Sequence, residues 1–533
     1  MCRHPPTRQQ PCLPESKALL CTIGRRCCLR VHPRLLADGA TTHLQMGFIA
    51  RLSVLALILC RSVLGAVIST IYDGCALLKY LLSFGLLSGC SPIVSSSYGL
   101  EISLCWFRDM MKGIRVVEDI QLKSMQSSRG RSSDSSYEGY ISFREDGDNQ
   151  QPLRVILKCS QNGLYGRFKA NVRSLFREGL VYESHLFRDK ENKRLLNHPR
   201  IYVNTYSNLL CESVLLMEDL RANKGGIFAS DILGSLKCPP KVDKSERDYL
   251  LHILVKLLAR LHSTYWNKTE LLHQPQYYYL SGHGYYKCLY DRSNLHIDES
   301  KYYFGIQIAK MKWRRGLERI ERNRREWLNK DSTGLNLENS IEFPLEISPQ
   351  VITYINSSLG HSTFSNFLSS IRRRPSSLCH GDVHGDNIFV TNMNSNKQIQ
   401  RGNNNFDSSI YFFDLQEVGI YDPASDISNL VLANCINQHG DTHADTQALL
   451  EAIARLYYEE IIQHGVSSYT FHECLRSFYI TGLEKFAWIF CLFLGEEESY
   501  QLPLVQYVHN ILSFIIDHCE FRAITPMRPM ILT

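Results

Sequence analysis

The chain has 533 residues, 44% of them hydrophobic and 21% charged, which is globular material with ample length for a large core. Its net charge of +6 is mild for that length and makes no case for a nucleic-acid surface, and short basic runs such as Arg372-Arg373-Arg374 read as solvated faces. Half of the 18 cysteines lie before residue 106, the rest are scattered singly and Cys-x-x-Cys does not occur; this argues against a structural zinc site and for the reduced thiols of a cytoplasmic protein.

Residues 1–95 differ from the rest of the chain. They are basic, with Glu15, Asp38 and Asp73 as their acids, and carry apolar runs at 52–60, 63–71 and 76–87. No run reaches the length of a spanning helix. The region reads as a poorly ordered extension, with a transit, anchor or weakly membrane-docking segment as the alternatives.

From about residue 100 the chain reads as folded. A short leading helix at 100–113 precedes three strand signals, at 114–122, 137–143 and 153–159. Helical spacing over 172–189 follows, then two more strands, at 200–206 and 213–220. After Leu220 the pattern turns helical. Leu250, Leu254, Leu257, Leu258 and Leu261 share one face of an amphipathic helix, and a highly charged helix covers 302–328. Three more helices are expected around 442–464, 470–494 and 503–518. The polar stretch 392–409 reads as an expanded hairpin tip. The expected domains are therefore the extension (1–95), a small mostly β lobe (96–220) and a larger helical lobe (221–533).

The chemistry concentrates in "LCHGDVHGDNIFV", residues 378–390. His380, Asp382, His384 and Asn387 fall within eight positions, and an apolar strand comes directly after them. Beyond the polar insert, a second short strand ends in Asp414, and Asp426 lies further on in "DPASD". Phosphoryl transfer from ATP needs such a set: one carboxylate to orient and deprotonate a hydroxyl, and an amide with a second carboxylate to hold magnesium. Asp382 fits the first role; Asn387 and Asp414 fit the second. Lys158 ends the third predicted strand, and Glu178 lies 20 residues later in the next helix, the arrangement that holds an ammonium against nucleotide phosphates.

With those residues in place, "HGDVHGDN" and "FFDLQ…DPASDISNL" resemble the aminoglycoside phosphotransferase and choline-kinase-like superfamily of protein-kinase-like folds. "FREGLVY", "VLLMEDL", "LLARLHS" and "FDLQ" look closest to its ecdysteroid-kinase-like branch, although that branch often carries an aromatic residue where His384 stands. The resemblance spans roughly residues 100–520. It implies an α+β, two-lobed fold and an ATP- and Mg-dependent kinase acting on a small-molecule hydroxyl. It implies Asp382 as catalytic base, His380 packed beneath the loop, Asn387 and Asp414 as metal ligands, and Asp426 as a brace. Lys158, its ammonium fixed by Glu178, would meet the phosphates. Met217, Glu218, Asp219 and Leu220 would connect the lobes and present backbone to the adenine. The serine-rich stretch 124–139 has few glycines where a phosphate-covering loop is expected.

Two other readings compete. A protein kinase would carry His-Arg-Asp and a long segment ending in Ala-Pro-Glu, whereas 11 residues separate Asp414 from Asp426. A non-catalytic nucleotide-binding scaffold fits the glycine-poor loop but not the intact set of Lys158, Asp382, Asn387 and Asp414. His262, on an apolar helix, reads as a satisfied core histidine, His384 as a loop-shaping hydrogen bonder and Asp386 as exposed. Eight tyrosines between 277 and 303 read as core and surface packing. As a pocket lining they would suit a flat alcohol or a cationic head group.

Overall fold

The computed structural model describes residues 116–124, 134–144, 153–160, 177–235 (without 190, 192 and 208–211), 240–268, 274, 277, 280, 299–331, 345–391 (without 372), 409–436, 442–495 and 502–518, with Cys60 and Val63. The N-terminal extension, the leading helix, the core of the serine-rich loop, the polar insert 392–408 and most of the tyrosine cluster fall outside the described residues.

Five strands form one antiparallel sheet: β1 (Val116–Ser124), β2 (Asp134–Arg144), β3 (Leu153–Ser160), β4 (Ile201–Ser207) and β5 (Glu212–Glu218), in the order β1-β2-β3-β5-β4. Between β3 and β4 lies helix α1 (Arg177–Glu183), so the expected strand-strand-strand-helix-strand-strand order is the order found. Strand β5 has neighbours on both edges, and Val214–Met217 are all buried, hence its continuous apolar run. On β3 the buried residues alternate, Val155 and Leu157 in, Arg154 out. The serine-rich stretch is shorter as a loop than expected, because Asp134 to Gly139 are already strand, paired with β3.

Strand β5 stops at Glu218, two residues before the expected end. The Asp219 carboxylate accepts from the amides of Arg221 (3.0 Å) and Ala222 (3.3 Å) and so starts helix α2 (Leu220–Lys224). Two short pieces come next, β6 (Ile227–Phe228) and α3 (Ser230–Leu233). Helix α4 (Lys244–Thr264) begins where Asp243 caps the Glu246 amide, and it buries the predicted leucine face. Helix α5 (Glu299–Asp331) is the charged helix. Helices α6 (Pro349–Gly360) and α7 (Phe364–Ile371) were not apparent from periodicity.

The chemistry-bearing stretch lies among short strands. β7 (Ser377–Cys379) pairs with β10 (Gly419–Tyr421), while β8 (Ile388–Val390) and β9 (Ile410–Phe412) form a hairpin flanked by β6. Four helices close the chain: α8 (Ala424–Cys435), α9 (His443–Gln463), α10 (Phe471–Leu494) and α11 (Leu502–His518). Helices α9 and α10 both start in capping boxes, Thr442 with Asp445 and Thr470 with Glu473. By length and composition, α10 is apolar enough to cross a membrane, but 72% of its apolar window is buried inside the protein against α5, α8, α9 and α11. Packing accounts for its composition.

The Arg372-Arg373-Arg374 run is not uniformly solvated. The Arg374 guanidinium is buried, 3.1 Å from Asp422 and hydrogen-bonded to Glu484 on α10. Both acids come from far along the chain, so sequence patterning could not show them. Burial pushes the Glu484 carboxyl up to about 7, against the pull of Arg374. A folded-state value above the ordinary 4.5 means the folded chain holds the proton more tightly than the unfolded one, so this stability is present at acid pH and is lost as pH rises through 7. Urea titrations at pH 5 and pH 8 are expected to show the Glu484→Gln variant gaining about 2 kcal/mol on wild type between the two pH values. A constant difference would contradict the raised carboxyl.

Candidate active site

The segment from Cys379 to Asn387 leaves β7 through a sharp turn. Gly381 has φ of 85°, a left-handed conformation that a Cβ would strain. The turn is clamped from below by Asp426, on the first turn of α8. One Asp426 oxygen accepts the His380 amide at 2.7 Å and the other accepts the Gly381 amide at 2.8 Å. Helix α8 is buried over ten of its 12 residues, so its polar side chains need partners inside. Asp426, Asn429 and Asn434 find them, while the Ser428 hydroxyl finds none among the described residues. Asn429 donates to the Val383 carbonyl (2.7 Å), and Asn434 accepts the Gly385 amide (3.0 Å) while donating to the Gly234 carbonyl (2.7 Å). A Cβ on Gly385 would lie 2.6 Å from the Ser230 nitrogen, so glycine is needed for this close approach.

Behind Asp426 stands His262 of α4, fully buried. Its Nε2 lies 3.3 Å from the Asp426 carboxylate and its Nδ1 3.0 Å from the Tyr457 hydroxyl, so it is a satisfied core histidine. His262, Cys379 and Asp426 bring ligand-type atoms within 4.8 Å of one another, but these hydrogen bonds already account for the cluster.

His380 is also fully buried. Its Nδ1 accepts the Asp382 amide at 3.3 Å and its Nε2 donates to the Phe413 carbonyl at 3.0 Å. Those two partners require a neutral ring with the proton on Nε2. Burial, which lowers the ring's proton affinity despite the nearby Asp426 and Asp382, agrees.

Pairing of β8 with β9 sets Ile388 opposite Phe412, and the Phe413 amide donates to the Asn387 carbonyl at 3.2 Å. The hairpin thus brings the chain at Asn387 beside the residue preceding Asp414, whatever the length of the insert between the strands. Asp414 itself is left-handed, φ 58° and ψ 55°. Its Oδ1 lies 2.7 Å from the Lys158 ammonium, which also reaches Glu178 Oε2 at 2.6 Å. The other Glu178 oxygen accepts the Leu415 amide at 3.3 Å. Lys158 therefore ties the sheet, α1 and the end of β9 together.

Asp382 is 32% exposed. Asn387 Nδ2 donates to the Asp382 backbone carbonyl at 3.0 Å and lies 3.5 Å from Oδ2. His384 Nε2 is also 3.5 Å from Oδ2. On the other side, Lys485 of α10 places its ammonium 2.9 Å from Oδ1. Loss of solvent alone would raise the Asp382 carboxyl, but the charges of Lys485 and then His384 hold it well below the usual carboxylate range. Burial lowers His384 while the Asp382 charge raises it, and the net effect is upward. The sequence did not single out Lys485; the available signal was a lysine standing immediately before the apolar run "FAWIFCLFL". Asp386, expected at the surface, is partly buried.

With its Nδ2 engaged on Asp382, Asn387 has an amide oxygen to offer, and Asp414 has a second carboxylate oxygen beyond the one facing Lys158. These are hard oxygen donors, a set that suits a Mg-like cation and not a thiolate-seeking metal. The 217–220 stretch borders the sheet's end. Met217 and Leu220 are buried, and the amides of Glu218 and Asp219 donate to the carbonyls of Arg200 (2.9 Å) and Arg154 (3.2 Å).

No family model matches the chain, and no curated protein matches it. Among solved structures it is similar to a Plasmodium vivax ethanolamine kinase, at 12% identity over 83% of this chain and 93% of that one, with a TM-score of 0.40. It is also similar to a microcompartment-associated aminopropanol kinase, at 10% identity over 80% of this chain and 100% of that one, TM-score 0.38. A third is an amicoumacin kinase in complex with AMP-PNP and Ca2+, at 12% identity over 77% and 90%, TM-score 0.34.

Asp426 is the group whose removal this geometry punishes most. Asp426→Ala leaves two buried amides and His262 without their acceptor, and is expected to cost about 3 kcal/mol or more in urea unfolding. A loss under about 1 kcal/mol would show that the turn at Gly381 holds itself.

Proposed function

We propose that this chain is an ATP- and Mg-dependent phosphotransferase whose acceptor is a hydroxyl on a small molecule, with the sheet as the small lobe and the helical part as the large lobe of a protein-kinase-like fold. The observation that carries the reading is the Lys158 ammonium held between Glu178 and Asp414, residues 20 and 256 positions away, beside the hairpin that bears Asn387. A cation so fixed is suited to nucleotide phosphates. Asp382 would orient the acceptor hydroxyl and take its proton. Asn387 and Asp414 would hold the cation, which when bound neutralises charge on the phosphate oxygens. Glu218 and Asp219 use their amide protons within the protein, so adenine would be read by the remaining backbone groups of Met217 to Leu220. The motifs "FDLQ" and "VLLMEDL" favour the ecdysteroid-kinase-like branch, and a cytoplasmic location accords with cysteines scattered singly through the sequence after residue 106.

Thermal unfolding of the full chain tests the site. Mg-ATP is expected to stabilise the protein, by about 2.7 kcal/mol at 100 times its Kd, with a smaller effect from ATP or Mg alone. Asp414→Ala should remove the dependence on Mg. Asp382→Asn should leave Mg-ATP binding within about threefold and lower transfer by two orders of magnitude or more, since general-base and orienting contributions are about 10²–10⁴-fold. A fully active Asp382→Asn protein would sink the assignment. A well-folded chain indifferent to Mg-ATP would instead favour the scaffold reading.

A further inference from the structure

Among the described residues, helix α10 is the one helix long and apolar enough by composition to span a membrane, yet it carries Lys485 at 15% side-chain exposure. An ammonium withdrawn from water persists where a partner compensates it. Its partner is Asp382 Oδ1, at 2.9 Å and 103 residues away. The two carboxylate oxygens are thereby distinguished. Lys485 approaches Oδ1 from α10; His384 and Asn387 face Oδ2 from the segment that bears Asp382 itself.

We propose that Lys485 is a positioning residue for phosphoryl transfer. Its ammonium fixes the Asp382 carboxylate in one orientation and neutralises its charge, so that a hydroxyl and an anionic triphosphate can be brought to it together. This rests on the phosphotransferase reading above. In the step concerned, the acceptor oxygen bonds to the γ-phosphorus while the bond from that phosphorus to the β–γ bridging oxygen breaks. The hydroxyl proton passes to Asp382, and ADP leaves with the electron pair of the broken bond. An isolated carboxylate at the point of attack would repel the γ-phosphoryl oxygens as the acceptor oxygen closes on the phosphorus, a cost met in the transition state and not in Mg-ATP binding; one paired to a lysine does so far less. The same pairing makes Asp382 a weaker base. That is tolerable here, because phosphoryl transfer runs through a loose transition state in which positioning and charge stabilisation matter more than base strength.

The test uses full-length wild type, Lys485→Met, Lys485→Arg, Asp382→Asn and the Asp382→Asn/Lys485→Met double variant. Phosphate release from Mg-ATP with water as acceptor gives turnover and KM, and calorimetry gives the Kd for Mg-ATP. Lys485→Met should lower kcat at least thirtyfold, with KM and Kd for Mg-ATP within threefold of wild type. Lys485→Arg should keep at least a tenth of wild-type kcat. In the Asp382→Asn background the Met substitution should cause no further loss, which a purely structural role would not produce. Wild-type turnover in a Lys485→Met protein overturns the proposal, as does a loss that appears only in KM or that adds in full to that of Asp382→Asn. If the Met variant does not fold, the Arg variant decides: a folded Lys485→Arg protein below a tenth of wild-type kcat overturns it. An active Asp382→Asn protein removes the phosphotransferase reading itself, whereas an inactive Asp382→Asn beside an active Lys485→Met removes this inference alone.

Discussion

The site hangs on one buried carboxylate. Asp426 is 1% exposed, and an ionised group there is tolerable only because donors surround it. Burial works to raise its carboxyl, but the donors around it, the His262 ring first and then the Gly381 amide, outweigh burial and hold it below the ordinary carboxylate value. Each of those contacts fixes something else. The His380 and Gly381 amides set the turn out of β7, and the turn sets the His380 ring. The ring's two nitrogens then reach the Asp382 amide on one side and the Phe413 carbonyl on the other. One side chain on a buried helix thus reaches, through a single neutral histidine, both the residue proposed as base and the strand end that leads into Asp414.

Charge is arranged on the same economy. Three carboxylates, Glu178, Asp382 and Asp414, converge from α1, the 379–387 segment and the end of β9. Two lysines answer them. Lys158 divides itself between Glu178 and Asp414, and Lys485 takes Asp382. Removing one member of such a set leaves a partly buried charge without compensation, which is why these pairs fix geometry even where their net contribution to stability is small. The pairs also join elements far apart in the chain. The sheet meets the hairpin through Lys158, and the last third of the protein meets the same site through Lys485.

Periodicity made most of the fold legible. The five strands, the leucine-faced α4 and the capped helices α9 and α10 fall within a few residues of their expected places, because each has a local cause: alternation, a hydrophobic face or a capping residue. The same holds for the candidate site wherever a motif is contiguous. His380, Asp382 and Asn387 lie on one loop, and the β8–β9 register brings Asp414 to it across an insert of any length. What escaped notice was set by long-range pairing. Arg374 reads locally as one of three surface arginines until Asp422 and Glu484 are folded against it, and Glu484 is 110 residues away. Lys485 reads as a blemish in an apolar helix until Asp382 is placed beside it. Helix α8 lacks a polar face to mark it, because almost all of it is buried and its polar residues serve the loop above. The extra strand residues expected at Asp219 and Leu220 fail for a local reason that could have been seen: an aspartate before a helical run is a cap.

Asp414 shows where the fold accepts a backbone cost. A non-glycine residue in the left-handed region is destabilised by about 1–2 kcal/mol, and glycine would relieve it. The conformation is imposed from both sides. Before it, Phe413 donates its amide to Asn387 and receives the His380 ring on its carbonyl; after it, the Leu415 amide is held by Glu178. Strain so over-determined is found where a side chain is required in a place that ordinary backbone geometry would not put it. Here the requirement is a carboxylate turned toward Lys158 at the end of a strand whose partner begins at Asn387. A fold needing only a turn at this point could use glycine. An aspartate, held left-handed by contacts to His380, Asn387 and Glu178, puts a carboxylate against Lys158, which is the placement the proposed phosphotransferase role requires.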